Sequence, residues 1–112
     1  MLSVNKVKKI YETNSGGVAA LNGVDIDFDN NGLAFILGKS GSGKTTLLNI
    51  LSGLDKPTEG SVSYQNEDIS KFSEAWMDRY RNIVTGIVFQ DYNLLETMTV
   101  YDNIAIALEI QK

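Results

Sequence analysis

The strongest constraint on the fold of this chain is the segment over 38–45, GKSGSGKT, which has the pattern G-x-x-x-x-G-K-[ST]. The preceding residues, LAFIL at 33–37, are apolar without alternation, which predicts a strand buried on both faces. Apolar residues then recur at helical spacing from Lys44, which predicts a helix of about three turns that is ended by Gly53 and then by Pro57. A buried strand, a glycine-rich loop and a helix in this order are typical of an α/β fold.

The residue types of this loop predict that it binds a phosphate chain. Glycines leave backbone N–H groups free to surround an anion, and the helix N-terminus adds a partial positive charge. Lys44 is then expected to reach the β- and γ-phosphates, Thr45 to place its hydroxyl on Mg²⁺, and Thr46 to meet the α-phosphate. The candidate nucleotide-binding residues are Gly38, Ser40, Gly41, Ser42, Gly43, Lys44, Thr45 and Thr46.

Three further strands are predicted from local patterns. Alternating apolar residues predict a half-buried strand over 2–10, which the cluster at 14–17 interrupts, and a second one over 24–28. The second strand carries aspartates at 25, 27 and 29, which we interpret as its solvated face rather than as a metal site. A short strand over 61–64 follows Gly60. The apolar run at 87–89 predicts another buried segment.

Two helices are predicted from their N-terminal caps. Ser73 is expected to cap a helix that places Trp76, Tyr80 and Ile83 on one face, with Trp76 as a packing residue. Thr99 and Asp102 have the spacing of a capping box, which predicts a helix from there to about residue 110.

Composition excludes several classes of function. Fourteen acidic residues against ten basic ones give a net charge of −4, the wrong sign for a protein that binds nucleic-acid phosphates. The chain has no cysteine, which excludes a disulfide framework, and no histidine, which removes the commonest general base and metal ligand. No apolar run reaches the length of a membrane span, and the N-terminus lacks the apolar core of a signal peptide. We therefore expect a cytoplasmic location.

Three segments carry a resemblance to a known family. GKSGSGKTTLLNILSGL at 38–54, KPTEG at 56–60 and IVFQDYNLLETMTVYDNI at 87–104 resemble, in order and spacing, the N-terminal half of an ATP-binding cassette (ABC) transporter ATPase. The sequence of these segments is most similar to the branch of the family that exports macrolides, antimicrobial peptides or lipoproteins. The resemblance implies a P-loop NTPase fold over 1–112, with an N-terminal antiparallel β-subdomain and an incomplete part of the parallel-sheet ATP-binding core.

The resemblance also implies residues that spacing alone does not identify. Gln90 matches the glutamine that touches Mg²⁺ or the attacking water, so it is both the catalytic candidate and a metal candidate. Tyr11 matches the aromatic residue that stacks on adenine. The segment over 91–104 matches a groove for a short helix of the transmembrane permease. Its apolar residues Tyr92, Leu94, Leu95 and Met98 either contact that helix or pack within the ATPase itself.

Other motifs of the family are missing from these 112 residues. They contain no LSGGQ-type signature, no strand ending in the magnesium-binding Asp and catalytic Glu, and no switch histidine. We therefore expect part of a longer export ATPase, which binds ATP and Mg²⁺ but does not hydrolyse ATP alone. The resemblance implies a permease and a second ATPase domain as partners, at the inner face of the membrane.

Two alternatives remain open at this point. One is a small soluble P-loop kinase or other NTPase, which would need an arginine lid, and the sequence has only Arg79 and Arg81. The other is a noncatalytic nucleotide-binding module.

Overall fold

The computed structural model describes residues 1–111, and these form an antiparallel sheet packed against helices. The sheet has the strand order β2-β1-β3-β4, and every neighbouring pair in it is antiparallel. The elements in chain order are β1 (Leu2–Thr13), β2 (Gly16–Phe28), α1 (Lys44–Leu51), β3 (Glu59–Tyr64), β4 (Glu67–Asp68), a 3₁₀ turn (Ile69–Lys71), α2 (Glu74–Ile83) and α3 (Val100–Ile110).

β1 and β2 form one long hairpin. Asn14 and Ser15 make its turn, and Gly16 opens β2 with φ of 115°, a left-handed conformation that favours glycine. β2 therefore begins eight residues before the predicted start at Val24. The stretch over 18–22 lacks strict alternation, but pairing with the second half of β1 satisfies its backbone groups.

The second half of β2 has one buried face and one solvated face, as predicted. Lys6 N–H donates to Oδ1 of Asp25 at 2.8 Å, so this carboxylate is used by the hairpin itself. The half-buried side chains are Val24, Ile26 and Phe28, and the exposed ones are Asp25, Asp27 and Asp29.

The core lies between the sheet, α1 and α2. Burial of the apolar side chains of this core is the main favourable free-energy term that holds α1 against the sheet. The buried residues are Val4, Val7, Leu21, Leu47, Ile50, Val62, Ile69, Met77 and Tyr80.

Helix α1 is shorter than predicted, with eight residues, and its end has a clear cause. Gly53 takes φ of 81°, its N–H donates to the carbonyl of Ile50 at 3.2 Å, and Leu54 N–H donates to the carbonyl of Asn49 at 2.9 Å. This pair of bonds is a Schellman motif, which satisfies the last carbonyls and stops the helix. Gly53 is thus the helix-ending signal that the sequence indicated, although the last predicted turn is missing.

The predicted buried strand at 33–37 and the predicted buried segment at 87–89 are both wrong. Residues 33–37 and 87–89 form no strand, and Leu33, Phe35, Leu37 and Val88 are at least 78% exposed. A strand is stable only when a neighbour pairs with its backbone, and no strand within residues 1–111 pairs with either segment. The apolar pattern therefore marks segments that need a cover which these residues do not supply.

The predicted caps of α2 and α3 are confirmed. The Ser73 hydroxyl accepts the N–H of Trp76 at 3.4 Å, and the Thr99 hydroxyl accepts the N–H of Asp102 at 3.1 Å. Each satisfies one of the N–H groups that a helix start leaves unpaired.

The predicted packing role of Trp76 is wrong, since its side chain is 59% exposed. Its ring lies 6.3 Å from that of Phe72, and the Arg79 guanidinium lies 5.7 Å from its centroid. Met77 and Tyr80 carry the buried face of α2 instead. Within residues 1–111, none of the helices has the length and apolar character needed to cross a bilayer.

Candidate functional site

A cleft of about 510 Å³ lies between the glycine-rich loop and β2. Its volume is within the range of small-molecule sites. Gln90 reaches this cleft from a segment 45 positions after Thr45, so the fold brings together residues that the sequence keeps apart. The lining residues are Val18, Ala19, Ala20, Ser40, Gly41, Gly43, Lys44, Thr45, Thr46 and Gln90.

Gly43 allows the loop to approach β2 closely enough to form the cleft. It is the N-cap of α1 with φ of 97°, and a Cβ at this position would lie 2.4 Å from the carbonyl oxygen of Ala20. The same Cβ would lie 3.0 Å from Cδ2 of Leu21, a core residue. Any other residue here would push the start of α1 away from the sheet.

The loop wraps around the ammonium group of Lys44. Nζ donates to the carbonyl oxygens of Gly38 and Lys39, both at 2.7 Å, and to the hydroxyl of Ser42 at 3.2 Å. A Cβ on Gly38 would lie 2.5 Å from Oγ of Ser42, so the loop closes tightly at this point. Gly38 and Ser42 do not line the cleft; they hold the cation that does.

The start of α1 is open to an anion. No side chain of the described residues caps it, and the N–H groups of its first turn have no intrahelical acceptor. The helix dipole adds partial positive charge at the same place. Among the predicted ligands, Thr45 is exposed and Thr46 half-buried, and both face the cleft.

The residues of the cleft fit a magnesium nucleotide. Mg²⁺ usually takes one or two protein oxygens and completes its shell with phosphate oxygens and water. The Thr45 hydroxyl and the Gln90 side-chain carbonyl are oxygen donors on the same cleft. Lys44 places a cation on this cleft, and Gly41 and Gly43 line it without a Cβ atom, as a bound phosphate chain would require.

Tyr11 does not line the cleft but stands beside it. It pairs across the hairpin with Val18, which does line the cleft, and its side chain is 41% exposed. Its hydroxyl donates to Oδ2 of Asp55 at 3.1 Å, and Nζ of Lys9 lies 5.2 Å from its ring centroid. The ring is therefore held from two sides.

Asp55 is the charged centre of this arrangement. Partial burial opposes its ionisation, but hydrogen bonds from Lys9, from the N–H of Lys56 and from Tyr11 outweigh that effect and hold the pKa of Asp55 below its ordinary value. Lys9 Nζ also donates to the carbonyl of Lys56 at 2.8 Å.

Sequence reasoning missed the wall of the cleft formed by Val18, Ala19 and Ala20. The signal that could have found it is the hairpin turn at Asn14 and Ser15, which forces the chain back alongside β1. These small side chains contribute shape and backbone, and neither leaves a recognisable pattern in sequence.

A second, mostly apolar groove of about 480 Å³ lies in the segment after Gln90. Of the four apolar residues that the resemblance singled out, Leu94, Leu95 and Met98 line this groove, whereas Tyr92 does not and is 82% exposed. The full lining is Leu94, Leu95, Glu96, Met98, Val100, Asn103 and Ile104.

Asn103 fixes the shape of this groove, a role that sequence reasoning did not assign. Its Oδ1 accepts the N–H of Leu95 at 2.8 Å, and its Nδ2 donates to the carbonyls of Leu95 at 3.1 Å and Thr99 at 2.9 Å. The side chain thus ties the loop to the first turn of α3.

Neither arginine lies on the nucleotide-sized cleft. Arg81 Nη1 donates to the carbonyl of Gly53 at 2.6 Å, at the C-terminal end of α1, where a cation complements the helix dipole. Arg79 stacks near Trp76. The arginine lid that a small kinase would need is therefore not built from these two residues.

Comparison with known proteins gives consistent matches. The family profile described as "ABC transporter" matches residues 21–112. The bacitracin export ATP-binding protein BceA of Halalkalibacterium halodurans is 38% identical over all of this chain, which corresponds to 44% of that relative. The methionine import ATP-binding protein MetN of the same organism is 38% identical over 98% of this chain and 32% of its own length.

Solved structures agree with these sequence matches. The dimeric structure of MJ0796, described as a bacterial ABC transporter cassette, has a TM-score of 0.95 and 33% identity over the whole chain. A second structure of the same cassette, bound to ADP and Pi after hydrolysis, gives the same TM-score. The chain spans about half the length of MJ0796 and less than half of the curated relatives named above.

Proposed function

Because the chain belongs to the ABC transporter family, we propose that it binds ATP with Mg²⁺ in the cleft between the glycine-rich loop and β2. The observation that carries this proposal is the set of residues on the cleft. Lys44, Thr45 and Thr46 lie there together with Gln90, and the loop glycines leave the backbone accessible.

Each residue has a defined part in this binding. The loop N–H groups and the start of α1 receive the phosphates, Lys44 neutralises the β- and γ-phosphates, and Thr46 meets the α-phosphate. Thr45 and Gln90 supply oxygens to Mg²⁺, which when bound neutralises the charge of the terminal phosphates. Since the three bonds of the Lys44 ammonium are all made to the loop, a phosphate must displace at least one of them.

The chain alone is proposed to hold ATP without turnover. The polar side chains on the cleft are hydroxyls, one ammonium group and the Gln90 amide. An amide positions a water molecule but does not take its proton at neutral pH. Because none of these groups is a general base, we expect hydrolysis to depend on groups that residues 1–111 do not supply.

We assign the chain to an exporter at the inner face of the membrane, acting with a permease and a second ATPase domain. BceA is named for export and MetN for import, so family membership does not give the direction of transport. The proposal of export rests on the resemblance of residues 87–104 to the export branch. The MJ0796 cassette is dimeric, which supports the second domain. The groove of Leu94, Leu95 and Met98 is the proposed seat of a permease helix.

A matched pair of threonine variants tests nucleotide binding. We expect Thr45→Val to abolish the gain in ATP affinity that Mg²⁺ gives, because it removes a metal ligand but keeps the shape of the side chain. Thr46→Val should lower ATP affinity equally with and without Mg²⁺. Calorimetric titration of the purified chain with ATP, with Mg²⁺ or with EDTA, measures both. Loss of the same size in both variants under both conditions would contradict the assigned roles.

The permease groove is tested in the complete transporter. Leu95→Asp and Met98→Asp should reduce permease association and transport while ATP affinity stays nearly unchanged, because the phosphates bind elsewhere. Glu96→Gln, on the same groove, is the control that alters charge without burying a new carboxylate. If both aspartate variants unfold or lose ATP binding without selective loss of the permease, these side chains are core and the groove assignment is wrong.

A further inference from the structure

The side chain of Tyr11 is held in place by Asp55 and Lys9, neither of which lines the proposed phosphate site. Its hydroxyl donates to Asp55 Oδ2 at 3.1 Å, and the other oxygen of Asp55 accepts from Lys9 at 2.9 Å. The Lys9 ammonium also lies over the Tyr11 ring, 5.2 Å from its centroid. Tyr11, Asp55 and Lys9 thus form a closed set of contacts, which we call the Tyr11 clamp.

The clamp is more buried and has more contacts than an ordinary surface ion pair. The Lys9 side chain is only 15% exposed, and its ammonium has a second anchor in the carbonyl of Lys56. A cation over an aromatic face and a hydrogen bond at the far end of the ring fix both its tilt and its direction. Lys9 covers one face of the ring, so the opposite face is the one left for a ligand.

The position of the clamp relates it to the nucleotide cleft. Tyr11 is the direct cross-strand partner of Val18, and directly paired residues of an antiparallel hairpin share one face of the sheet. Val18 lines the cleft on which Lys44 and Thr46 lie. The clamp holds a flat ring at the edge of the proposed phosphate site, where the base of a nucleotide would emerge.

We propose that Lys9 and Asp55 are positioning residues for base recognition, which hold the free face of Tyr11 ready to stack on adenine; this rests on the proposed function and on the adenine stacking that the family resemblance implies for Tyr11. Freezing an aromatic side chain before the ligand arrives removes an ordering cost from binding, about 0.5–1.5 kcal/mol for one side chain. Loosening the clamp should therefore lower ATP affinity by about threefold to tenfold.

The test compares ATP with inorganic tripolyphosphate, which has the phosphates but no base. Tyr11→Phe keeps the ring and removes its bond to Asp55, and Lys9→Met keeps the aliphatic stem and removes the cation. Each should lower ATP affinity by about threefold to tenfold in calorimetric titrations with Mg²⁺, while tripolyphosphate affinity changes by less than about twofold. The matched controls are Lys8→Met, next to Lys9 and paired with Glu59, and Tyr101→Phe on α3, which should change neither affinity.

The two ligands separate positioning from structural effects. Equal losses for ATP and tripolyphosphate would mean that the variants damage the whole site, and no loss for either would mean that the clamp does not act on the base; both results overturn the inference. If the unaltered chain binds neither ligand, or if Lys44→Ala changes neither affinity, the proposed function itself fails and the inference falls with it.

Discussion

Replacing Lys44 by alanine is the most direct perturbation of the proposed nucleotide site. In the structure its ammonium is surrounded by the carbonyls of Gly38 and Lys39 and the hydroxyl of Ser42, at 2.7–3.2 Å. The cation is thus already placed over the loop before a ligand binds. Lys44→Ala removes this charge and leaves the backbone N–H groups and the start of α1 in place.

The expected magnitude follows from the charges involved. A cation about 4 Å from a phosphate charge in a half-exposed site with an effective dielectric constant near 20 contributes about 4 kcal/mol. Displacing one of the existing loop bonds costs about 1 kcal/mol. The difference of about 3 kcal/mol is an upper limit, because salt screens the pair and hydrogen bonds to charged groups contribute about 1.5–3 kcal/mol. We therefore expect Lys44→Ala to weaken ATP binding by about 1.5–3 kcal/mol, or about tenfold to a hundredfold, with the upper end favoured at low salt.

Calorimetric titration with ATP and Mg²⁺ measures this loss, and Lys39→Ala is its control. Lys39 belongs to the same loop and carries the same charge, but it does not line the cleft. Its replacement should change affinity by less than about twofold, apart from long-range screening that salt removes. Unchanged affinity in Lys44→Ala, or equal losses in the two variants, would refute the placement of the phosphates on this loop.

Three further predictions concern stability and association. Gly43→Ala should lower the free energy of unfolding by about 1–3 kcal/mol more than Gly23→Ala, because both glycines have positive φ but only a Cβ at Gly43 meets a carbonyl, at 2.4 Å; chemical denaturation measures the difference. Since the pKa of Asp55 is lowered in the folded chain, its stabilising effect is present above about pH 4 and is lost as pH falls through the folded pKa. Asp55→Asn should therefore flatten the acid limb of thermal stability against pH, and an unchanged limb would contradict this. The exposed apolar segment over 33–37 should make the purified chain self-associate, and Phe35→Lys should raise the monomer fraction in light scattering; a fully monomeric parent chain would show that the segment needs no cover.

The glycine-rich loop before α1 and the helix caps could be predicted from the sequence because they are local. A glycine-rich loop before a helix, a serine or threonine at an N-cap and a glycine at a C-terminal end act through bonds within a few residues. Ser73, Thr99 and Gly53 were identified for this reason, and the structure places each in the predicted role.

Whether residues 33–37 form a buried strand could not be predicted from the local sequence, because a strand there needs a pairing neighbour that the local pattern does not specify. The same segment forms a buried strand when another strand pairs with it and stays exposed when none does. Within residues 1–111 no strand pairs with it. The packing role predicted for Trp76 is wrong for a similar reason. Helical spacing shows which residues share a face of the helix, but it does not show what packs against that face.

Only the tertiary structure decided which distant residues share the cleft. The family resemblance suggested Gln90 and Tyr11 as site residues, but it did not show where they lie in space. The fold places Gln90 on the cleft and Tyr11 beside it, across the hairpin from Val18. The contacts of Lys9 and Asp55 with Tyr11 had no signal in the sequence, and the wall of β2 had only the indirect signal of the hairpin turn at Asn14 and Ser15. They arise from close approach between segments up to 46 positions apart, which is fixed by the packing of the whole sheet against α1 and not by any local preference.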